Sequence, residues 1–256
     1  MRRVVFNQKG GVGKSTITCN LAAVSASRGL RTLVLDLDVQ GNSTRYLLGD
    51  QADGVEDGTV ADFFQQTLGF SFQPKQVGEF IYETPIEHLH LMPSSPTLDE
   101  LHGKLESRYK IYKLRDALES LNDRYDRIFI DTPPALNFYT RSALIAAERC
   151  LIPFDCDDFS RRALYTLMQN VQEIQSDHNP ALKVEGVIVN QFQPRASLPQ
   201  KLVAELIEEG LPVLQPYLSA SVKIKESHER ALPMVQLDPR HKLSLEFVAL
   251  FDALEG

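Results

Sequence analysis

Residues 9–16 are Lys9-Gly10-Gly11-Val12-Gly13-Lys14-Ser15-Thr16, and they decide the fold of this chain. Apolar residues at 4–6 predict a buried strand before this stretch, and apolar residues at helical spacing over 17–24 predict a helix after it. A glycine-rich turn between a strand and a helix lets successive backbone N–H groups converge on a phosphate, and the helix N-terminus adds partial positive charge there. The stretch therefore predicts a phosphate-binding loop.

Two side chains of this loop have assignable chemistry. Lys14 would reach the β- and γ-phosphates of a nucleotide, and the Ser15 hydroxyl would ligate Mg²⁺. The usual pattern G-x-x-x-x-G-K-[ST] is incomplete, because Gln8 stands at the position of its first glycine. An additional lysine, Lys9, stands at the mouth of the loop. The alternative interpretation is a glycine-rich turn with two solvated lysines.

With this additional lysine, the stretch resembles the deviant Walker A loop of the ParA/MinD family of partition and positioning ATPases. The resemblance implies ATP or ADP with Mg²⁺ as ligands. It also implies that Lys9 crosses a dimer interface to the nucleotide of the other subunit, so that Lys9 and Lys14 are both catalytic. The residues of this stretch that the resemblance assigns to nucleotide binding are Lys9, Gly10, Gly11, Val12, Gly13, Lys14, Ser15 and Thr16.

A second strand pattern, over 31–37, ends in Asp36-Leu37-Asp38. Carboxylates at the C-terminal end of a strand point into the crevice where open α/β sheets bind ligands. Residues 36–44 are similar to the D-x-D-P-Q-G-N-x-[ST] segment of ParA-type ATPases, with Val39 in place of the proline. The resemblance implies that Asp38 orients the attacking water beside the metal. A charged strand end followed by a turn is the alternative.

A third strand pattern, over 125–131, also ends in an aspartate, Asp131. This is the Walker B arrangement, in which the carboxylate holds Mg²⁺, often through water. The prolines of the following segment 132–134 stiffen it, and it resembles the family's switch loop, which senses the γ-phosphate. The predicted metal site therefore combines Ser15, Asp38 and Asp131.

The second half of the chain continues the alternation of strands and helices. It predicts a strand at 149–154, a helix at 160–176 and a strand at 183–190, and residues 155–159 align loosely with the family's acidic–aromatic segment. The resemblance implies that Asn190 reads the adenine edge and that Pro216 closes the other side of the base. A turn-capping amide is the alternative role for Asn190.

Several basic residues are candidates for binding DNA. In ParA relatives the ATP-bound dimer binds DNA without sequence preference through basic residues late in the chain. The matching residues here are Arg195, Lys223, Lys225 and Arg230. Taken singly, each is an ordinary solvated charge in the alternative interpretation. Arg161 and Arg162 either are solvated residues at a helix start or belong to a DNA or partner surface.

Composition sets further bounds. The chain has 256 residues, of which 43% are hydrophobic and 24% charged, which suits a single α/β domain over 1–256 with a less regular insertion around 49–87. The net charge of −7 means that any DNA binding must come from a local patch. Three cysteines without metal-type spacing, no visible signal peptide and no apolar run of membrane-spanning length indicate a cytoplasmic protein.

Strands that alternate with helices throughout predict a doubly wound, mainly parallel α/β sheet with helices on both faces, as in P-loop NTPases. The insertion carries Phe70, Phe72 and Phe80 among polar residues. These phenylalanines could form a stacking platform, but we expect them to pack onto the body of the domain.

The resemblance implies an ATPase that dimerises with ATP, binds DNA non-specifically and associates with the nucleoid. Slow hydrolysis, accelerated by a ParB-like or cargo-adaptor partner, would drive positioning of a plasmid, a chromosome region or a protein cargo. The alternative is a membrane-associated division-site regulator of MinD type, which needs a basic amphipathic C-terminal helix. Residues 243–254 are apolar but carry no lysine or arginine, so they predict a packed final helix and no membrane partner.

Overall fold

The computed structural model of the chain describes residues 1–70, 72–156 and 160–256, so most of the acidic–aromatic segment at 155–159 lies outside the described residues. Within the described part, one sheet contains seven strands. These strands are β1 (Arg2–Val5), β2 (Thr32–Asp36), β3 (Tyr82–Glu83), β4 (Leu89–Met92), β5 (Arg127–Asp131), β6 (Arg149–Asp155) and β7 (Lys183–Asn190).

Helices connect these strands, as the alternating pattern predicts. The α-helices are α1 (Lys14–Ser27), α2 (Asn42–Leu48), α3 (Val60–Leu68), α4 (Leu98–Ser107), α5 (Lys113–Glu119), α6 (Phe138–Ala146), α7 (Ser160–Asp177), α8 (Ser197–Glu208), α9 (Lys223–Glu229), α10 (Met234–Leu237) and α11 (Lys242–Glu255). None of the helices in the described ranges combines the length and the apolar character needed to cross a membrane.

The strand order is β3-β4-β2-β5-β1-β6-β7, and every neighbouring pair except β3 with β4 is parallel. Alternate side chains of a strand point to opposite faces, so the two successive valines of β1 belong to two different cores. Val4 packs with apolar residues of α3 to α8, whereas Val5 packs with those of α1, α2, α10 and α11. The predicted doubly wound, mainly parallel fold is confirmed.

The insertion at 49–87 contains helix α3 and the short strand β3. Its helix α3 begins with a capping box, in which Thr59 and Asp62 satisfy each other's backbone N–H groups. The expectation that all three phenylalanines pack onto the body was wrong for two of them. Phe80 is buried, but Phe70 and Phe72 are 85% and 93% exposed and contact each other edge to face.

At the end of the strands opposite the phosphate-binding loop, Arg3 of β1 is almost fully buried. Its guanidinium donates two hydrogen bonds to Glu185 of β7, at 2.7 and 3.0 Å, and one to Glu255 at the end of α11, at 2.8 Å. It also donates to the carbonyl of Leu254. One buried cation thus joins the first strand, an edge strand and the last helix.

We predict that Arg3→Met lowers the free energy of unfolding by about 3 kcal/mol, because it removes the cation of the partly buried Glu185 and one of the two arginines that pair with Glu255. Arg28 is the matched control, since it makes a similar pair with Asp252 on the exposed surface. Arg28→Met should cost less than about 1 kcal/mol. Urea denaturation followed by circular dichroism measures both, and equal losses for the two variants would contradict the importance of burial.

Candidate functional site

The carboxyl ends of the central strands open into a cavity of about 480 Å³. Parallel strands place their C-terminal residues along one edge of the sheet, which brings sequence-distant loops together there. The lining contains most of the predicted phosphate loop and Asp38. The residues that line this first cavity are Gly10, Gly11, Gly13, Lys14, Ser15, Thr16, Asp38, Gln40, Asn42, Arg45, Tyr46, Pro134 and His228.

Gly13 is the turning point between the loop and α1. It has φ +91°, and its carbonyl accepts the first helical hydrogen bond, from Ile17, at 2.8 Å. The backbone conformation favours glycine here, and a Cβ would also lie 2.4 Å from Nδ2 of Asn190 and displace that amide. Asn190 donates to the carbonyl of Val12 at 2.9 Å, which fixes the loop against the end of β7.

The two loop lysines are already engaged within the chain. The buried Lys14 donates from Nζ to the carbonyl of Lys9 at 3.0 Å, so its ammonium group lies across the loop. Burial lowers the pKa of Lys14, while the charges of Asp131 and Asp38 oppose that shift. Lys9 is half-exposed, and its Nζ lies 3.5 Å from a carboxylate oxygen of Asp155 at the end of β6.

Two fully buried carboxylates face each other at the ends of β2 and β5, where Asp36 pairs in register with Asp131. Asp36 accepts hydrogen bonds from the backbone and hydroxyl of Thr44, at 2.7 and 2.8 Å, and from the backbone N–H of Asp38. Asp131 accepts one from Ser43 at Oδ2, at 2.7 Å. Its other oxygen, Oδ1, is buried and has no hydrogen-bond partner among the described residues.

Burial raises the pKa of both carboxyl groups. The neighbouring Asp131 raises the pKa of Asp36 further, whereas the three donated hydrogen bonds favour its ionised form. For Asp131, the hydroxyl groups of Ser15 and Ser43 and the charge of Lys14 oppose the effect of burial and lower the pKa. The arrangement concentrates negative charge in a desolvated place, and a cation there would stabilise it.

Asp38 is buried at the cavity wall, and its orientation is fixed by the backbone around it. Its Oδ1 accepts a hydrogen bond from the N–H of Gln40 at 3.1 Å, and its carbonyl accepts one from the hydroxyl of Ser94 at 2.6 Å. Since Oδ1 is engaged, the second carboxylate oxygen is the one available to a ligand or water in the cavity.

The oxygen atoms at this site are suitable ligands for Mg²⁺ that is bound together with phosphates. Ser15 and Asp38 line the cavity, and Asp131 Oδ1 is a buried acceptor without a partner in the described ranges. Those ranges contain no group of three or more His, Cys, Asp or Glu side chains suited to holding a metal alone. Mg²⁺ commonly keeps several waters and uses one or two carboxylates plus substrate phosphates, so a complete protein cage is not required.

Comparisons with known proteins agree with this geometry. A protein-family model described as "AAA domain" matches residues 3–184. The chromosome partitioning protein ParA of Myxococcus xanthus is 31% identical over 250 residues, which cover 96% of this chain and 84% of that protein. The chain belongs to the ParA/MinD family of ATPases.

Solved structures extend the likeness to the whole fold. A Mycobacterium smegmatis protein described as cobyrinic acid a,c-diamide synthase, with bound ADP and magnesium, has a TM-score of 0.83 at 25% identity and matches over 99% of this chain and 93% of its own. The cell division ATPase MinD of Pyrococcus furiosus has a TM-score of 0.78 at 23% identity over 99% and 98% of the two chains.

In this ParA/MinD-family ATPase, the predicted adenine contacts lie in different places. A second cavity, of about 490 Å³, shares Gly11, Gly13 and Thr16 with the first cavity and includes Asn190. The segment 219–222 lines it, but Pro216, which follows a cis peptide bond, is not among the lining residues of either cavity. The adenine role of Asn190 and that of Pro216 stay predictions, and Asn190 has the additional task of holding the loop.

The four candidate DNA-binding residues are not equivalent. Arg195, Lys225 and Arg230 are exposed, whereas Lys223 is partly buried. Lys223 and Arg230 share one carboxylate, Glu226, at 2.7 and 3.2 Å. Part of the predicted positive charge is therefore compensated on the same helix, α9, although such exposed pairs are weak and can be exchanged for another partner.

The structure distinguishes the two arginines at the start of α7. Arg161 forms ion pairs with Glu205 and Glu209, both from the region of α8, whereas Arg162 is exposed. Arg161 thus joins two neighbouring helices within the chain, which gives it a structural role that its sequence position did not indicate.

Sequence reasoning missed three side chains that line the first cavity, namely Arg45, Tyr46 and His228. Arg45 and Tyr46 directly follow the segment 36–44, so their closeness to it was a usable signal. His228 carries no such signal, because it comes from α9, more than two hundred residues away along the chain. The hydrogen bond from Ser43 to Asp131 was also not predicted from the sequence.

We predict that Ser43→Ala weakens Mg²⁺-dependent nucleotide binding about tenfold, because Asp131 loses the charge-assisted hydrogen bond that orients it. Isothermal titration calorimetry with ADP, with Mg²⁺ and with a chelator instead, separates the metal contribution. Ser176→Ala removes an exposed helical hydroxyl and is the control. Equal weakening with and without Mg²⁺ would argue against a metal-orienting role for Ser43.

Proposed function

We propose that this chain is a nucleotide-switched positioning ATPase, which dimerises with ATP, binds DNA non-specifically and moves a plasmid, a chromosome region or a protein cargo. One observation carries the proposal, namely that a single cavity combines the loop lysine Lys14 with Ser15 and Asp38, beside the buried Asp131. Membership of the ParA/MinD family supports a cycle in which ATP drives dimerisation and DNA binding. The chain itself does not favour one class of cargo over another.

The side chains of the cavity suit phosphoryl transfer to water. Lys14 brings positive charge to the phosphates, where charge accumulates as the γ-phosphate leaves. Mg²⁺, held by the Ser15 hydroxyl and by Asp131 and Asp38 directly or through water, would neutralise further phosphate charge. Asp38, with its Oδ1 fixed by Gln40, accepts a hydrogen bond from the attacking water at its second oxygen and so orients that water.

Dimerisation would change the partner of Lys9. Within the chain, the Lys9 ammonium pairs with Asp155 at 3.5 Å, which is a long and half-exposed contact. Exposed pairs of this kind contribute about 1 kcal/mol or less, so a triphosphate presented by a second subunit would compete with Asp155 effectively. The slow, partner-stimulated hydrolysis that we propose follows if this lysine reaches the nucleotide only in the dimer.

Binding of DNA would rest on Arg195, Lys223, Lys225 and Arg230. The overall charge of −7 repels DNA, so a dimer that doubles a local basic patch would bind better than one subunit. We therefore propose association with the nucleoid in the ATP-bound state only, with a ParB-like or cargo-adaptor protein that triggers release.

The alternative function is a membrane-cycling regulator of MinD type. Such a protein needs an amphipathic helix with a free apolar face. In this chain, α11 buries Leu243, Phe247, Leu250 and Phe251 in the core that it shares with α1. Because this apolar face is already covered, α11 favours the DNA-binding proposal over membrane attachment.

We predict that Lys14→Ala abolishes ATP binding, whereas Asp38→Ala binds ATP but hydrolyses it at least about a hundredfold more slowly, since the water loses its orienting base. Calorimetry measures binding and phosphate release measures turnover. Asp123→Ala, at an exposed carboxylate away from the cavity, should hydrolyse ATP normally. Normal turnover by Asp38→Ala would refute the assignment of Asp38.

We predict that Asp38→Ala protein is retained on random-sequence DNA with ATP but not with ADP, and that retention falls steeply with salt, as expected for phosphate contacts. Adding Lys223→Glu and Lys225→Glu should abolish retention and leave ATP-dependent dimerisation intact. The control instead adds Lys104→Glu and Lys201→Glu, which make the same change in net charge at exposed positions of α4 and α8. This control should still be retained on DNA.

The same protein should be tested on vesicles that contain anionic lipids. Binding to vesicles and not to DNA would replace the proposal with its membrane alternative. An ATP-dependent dimer that binds neither would direct the search to protein partners alone.

A further inference from the structure

His228 of α9 touches the phosphate-binding loop directly. Its Nε2 lies 3.0 Å from the hydroxyl of Thr16, the third residue of α1, and its side chain lines the first cavity. Its ring packs on the ring of Tyr46, with the two centroids 4.5 Å apart. A long-range contact of this kind places a hydrogen-bonding imidazole within reach of whatever the loop binds.

The position of this histidine is fixed by its surroundings. The Tyr46 hydroxyl, which is buried, contacts both Asn20 of α1 and Ser227, the residue before His228. Asn20 also donates to the Thr16 carbonyl at 2.8 Å. The start of α1, helix α2 and helix α9 therefore meet in one hydrogen-bonded group beneath the imidazole.

The place of Thr16 identifies which part of a nucleotide would lie there. Lys14 and Ser15 serve the β- and γ-phosphates and the metal. Thr16, Gly11 and Gly13 are shared by the first cavity and by the second, which includes Asn190. Thr16 is the one of these three with a hydroxyl, and a nucleotide that spans both cavities would pass this hydroxyl with the phosphate next to its nucleoside. That α-phosphate is common to ADP and ATP.

We propose that His228 is a nucleotide-contacting residue, whose imidazole donates a hydrogen bond to the α-phosphate beside Thr16. This inference rests on the proposed nucleotide binding and deepens it. Because His228 is part of the same short helix as Lys223 and Lys225, the contact also ties the orientation of those lysines to occupancy of the loop. DNA affinity then depends on the nucleotide through α9 as well as through dimerisation.

The test compares two substitutions at one position. His228→Phe keeps a ring against Tyr46 but removes the hydrogen-bonding nitrogens, whereas His228→Gln keeps a hydrogen-bond donor without the ring. We expect His228→Phe to weaken ADP and a non-hydrolysable ATP analogue equally, by about tenfold, as for a lost hydrogen bond to a charged group. His228→Gln should recover most of this loss. Glu229→Gln, at an exposed neighbour on α9, should bind both like the unmodified chain.

Each other result overturns the proposal. Unchanged affinities would show that the imidazole does not touch the nucleotide, and a loss confined to the ATP analogue would place it at the γ-phosphate. A lower thermal midpoint of nucleotide-free His228→Phe, with no recovery of affinity in His228→Gln, would give the ring a structural role alone.

Retention on DNA at saturating ATP analogue tests the coupling to α9. We expect His228→Phe to retain less DNA than Glu229→Gln when both are saturated, and equal retention would overturn the coupling. If the unmodified chain fails to bind DNA, the proposed function fails, but the affinities for ADP still decide the contact.

Discussion

The architecture of this ATPase depends on two carboxylates that are buried opposite each other at the ends of adjacent strands. Asp36 and Asp131 would repel each other in a place from which water is excluded, and an unpaired buried charge is costly. The chain meets this cost with donors from 38–44, all within a few residues of the strand end. Lys14 adds a positive charge from the facing loop.

The same donors connect the site to the rest of the molecule. Thr44 donates to Asp36 and accepts a hydrogen bond from Ser94, so the segment after β4 is fixed by the carboxylate as well. Tyr46, two residues further on, connects α2 to α1 and α9. Neighbouring contacts through residues 44–46 thus join the strand ends to α9.

The sequence was sufficient for the parts of the fold and site that are local. The phosphate loop and the strand-ending aspartates each follow from residues within a few positions of one another. Contacts that depend on tertiary packing were not predictable in this way. His228 contacts Thr16 only through the tertiary placement of α9, and the exposure of Phe70 and Phe72 is likewise decided by tertiary packing. The pairing of Lys223 with Glu226, at helical spacing, could have been inferred and would have reduced the apparent basic patch.

The hydrogen bond from Lys14 to the Lys9 carbonyl has a consequence for the speed and strength of nucleotide capture. Immobilising a free lysine side chain costs about 1.5–2 kcal/mol of conformational entropy. In this chain Lys14 is buried and directed across the loop by folding itself, so that cost does not fall on the binding step. When a phosphate oxygen replaces the Lys9 carbonyl, the ammonium group of Lys14 exchanges a neutral acceptor for a charged and stronger one. The loop is thus a preorganised receptor, and its discrimination between nucleotides must come from the groups around the base and the last phosphate.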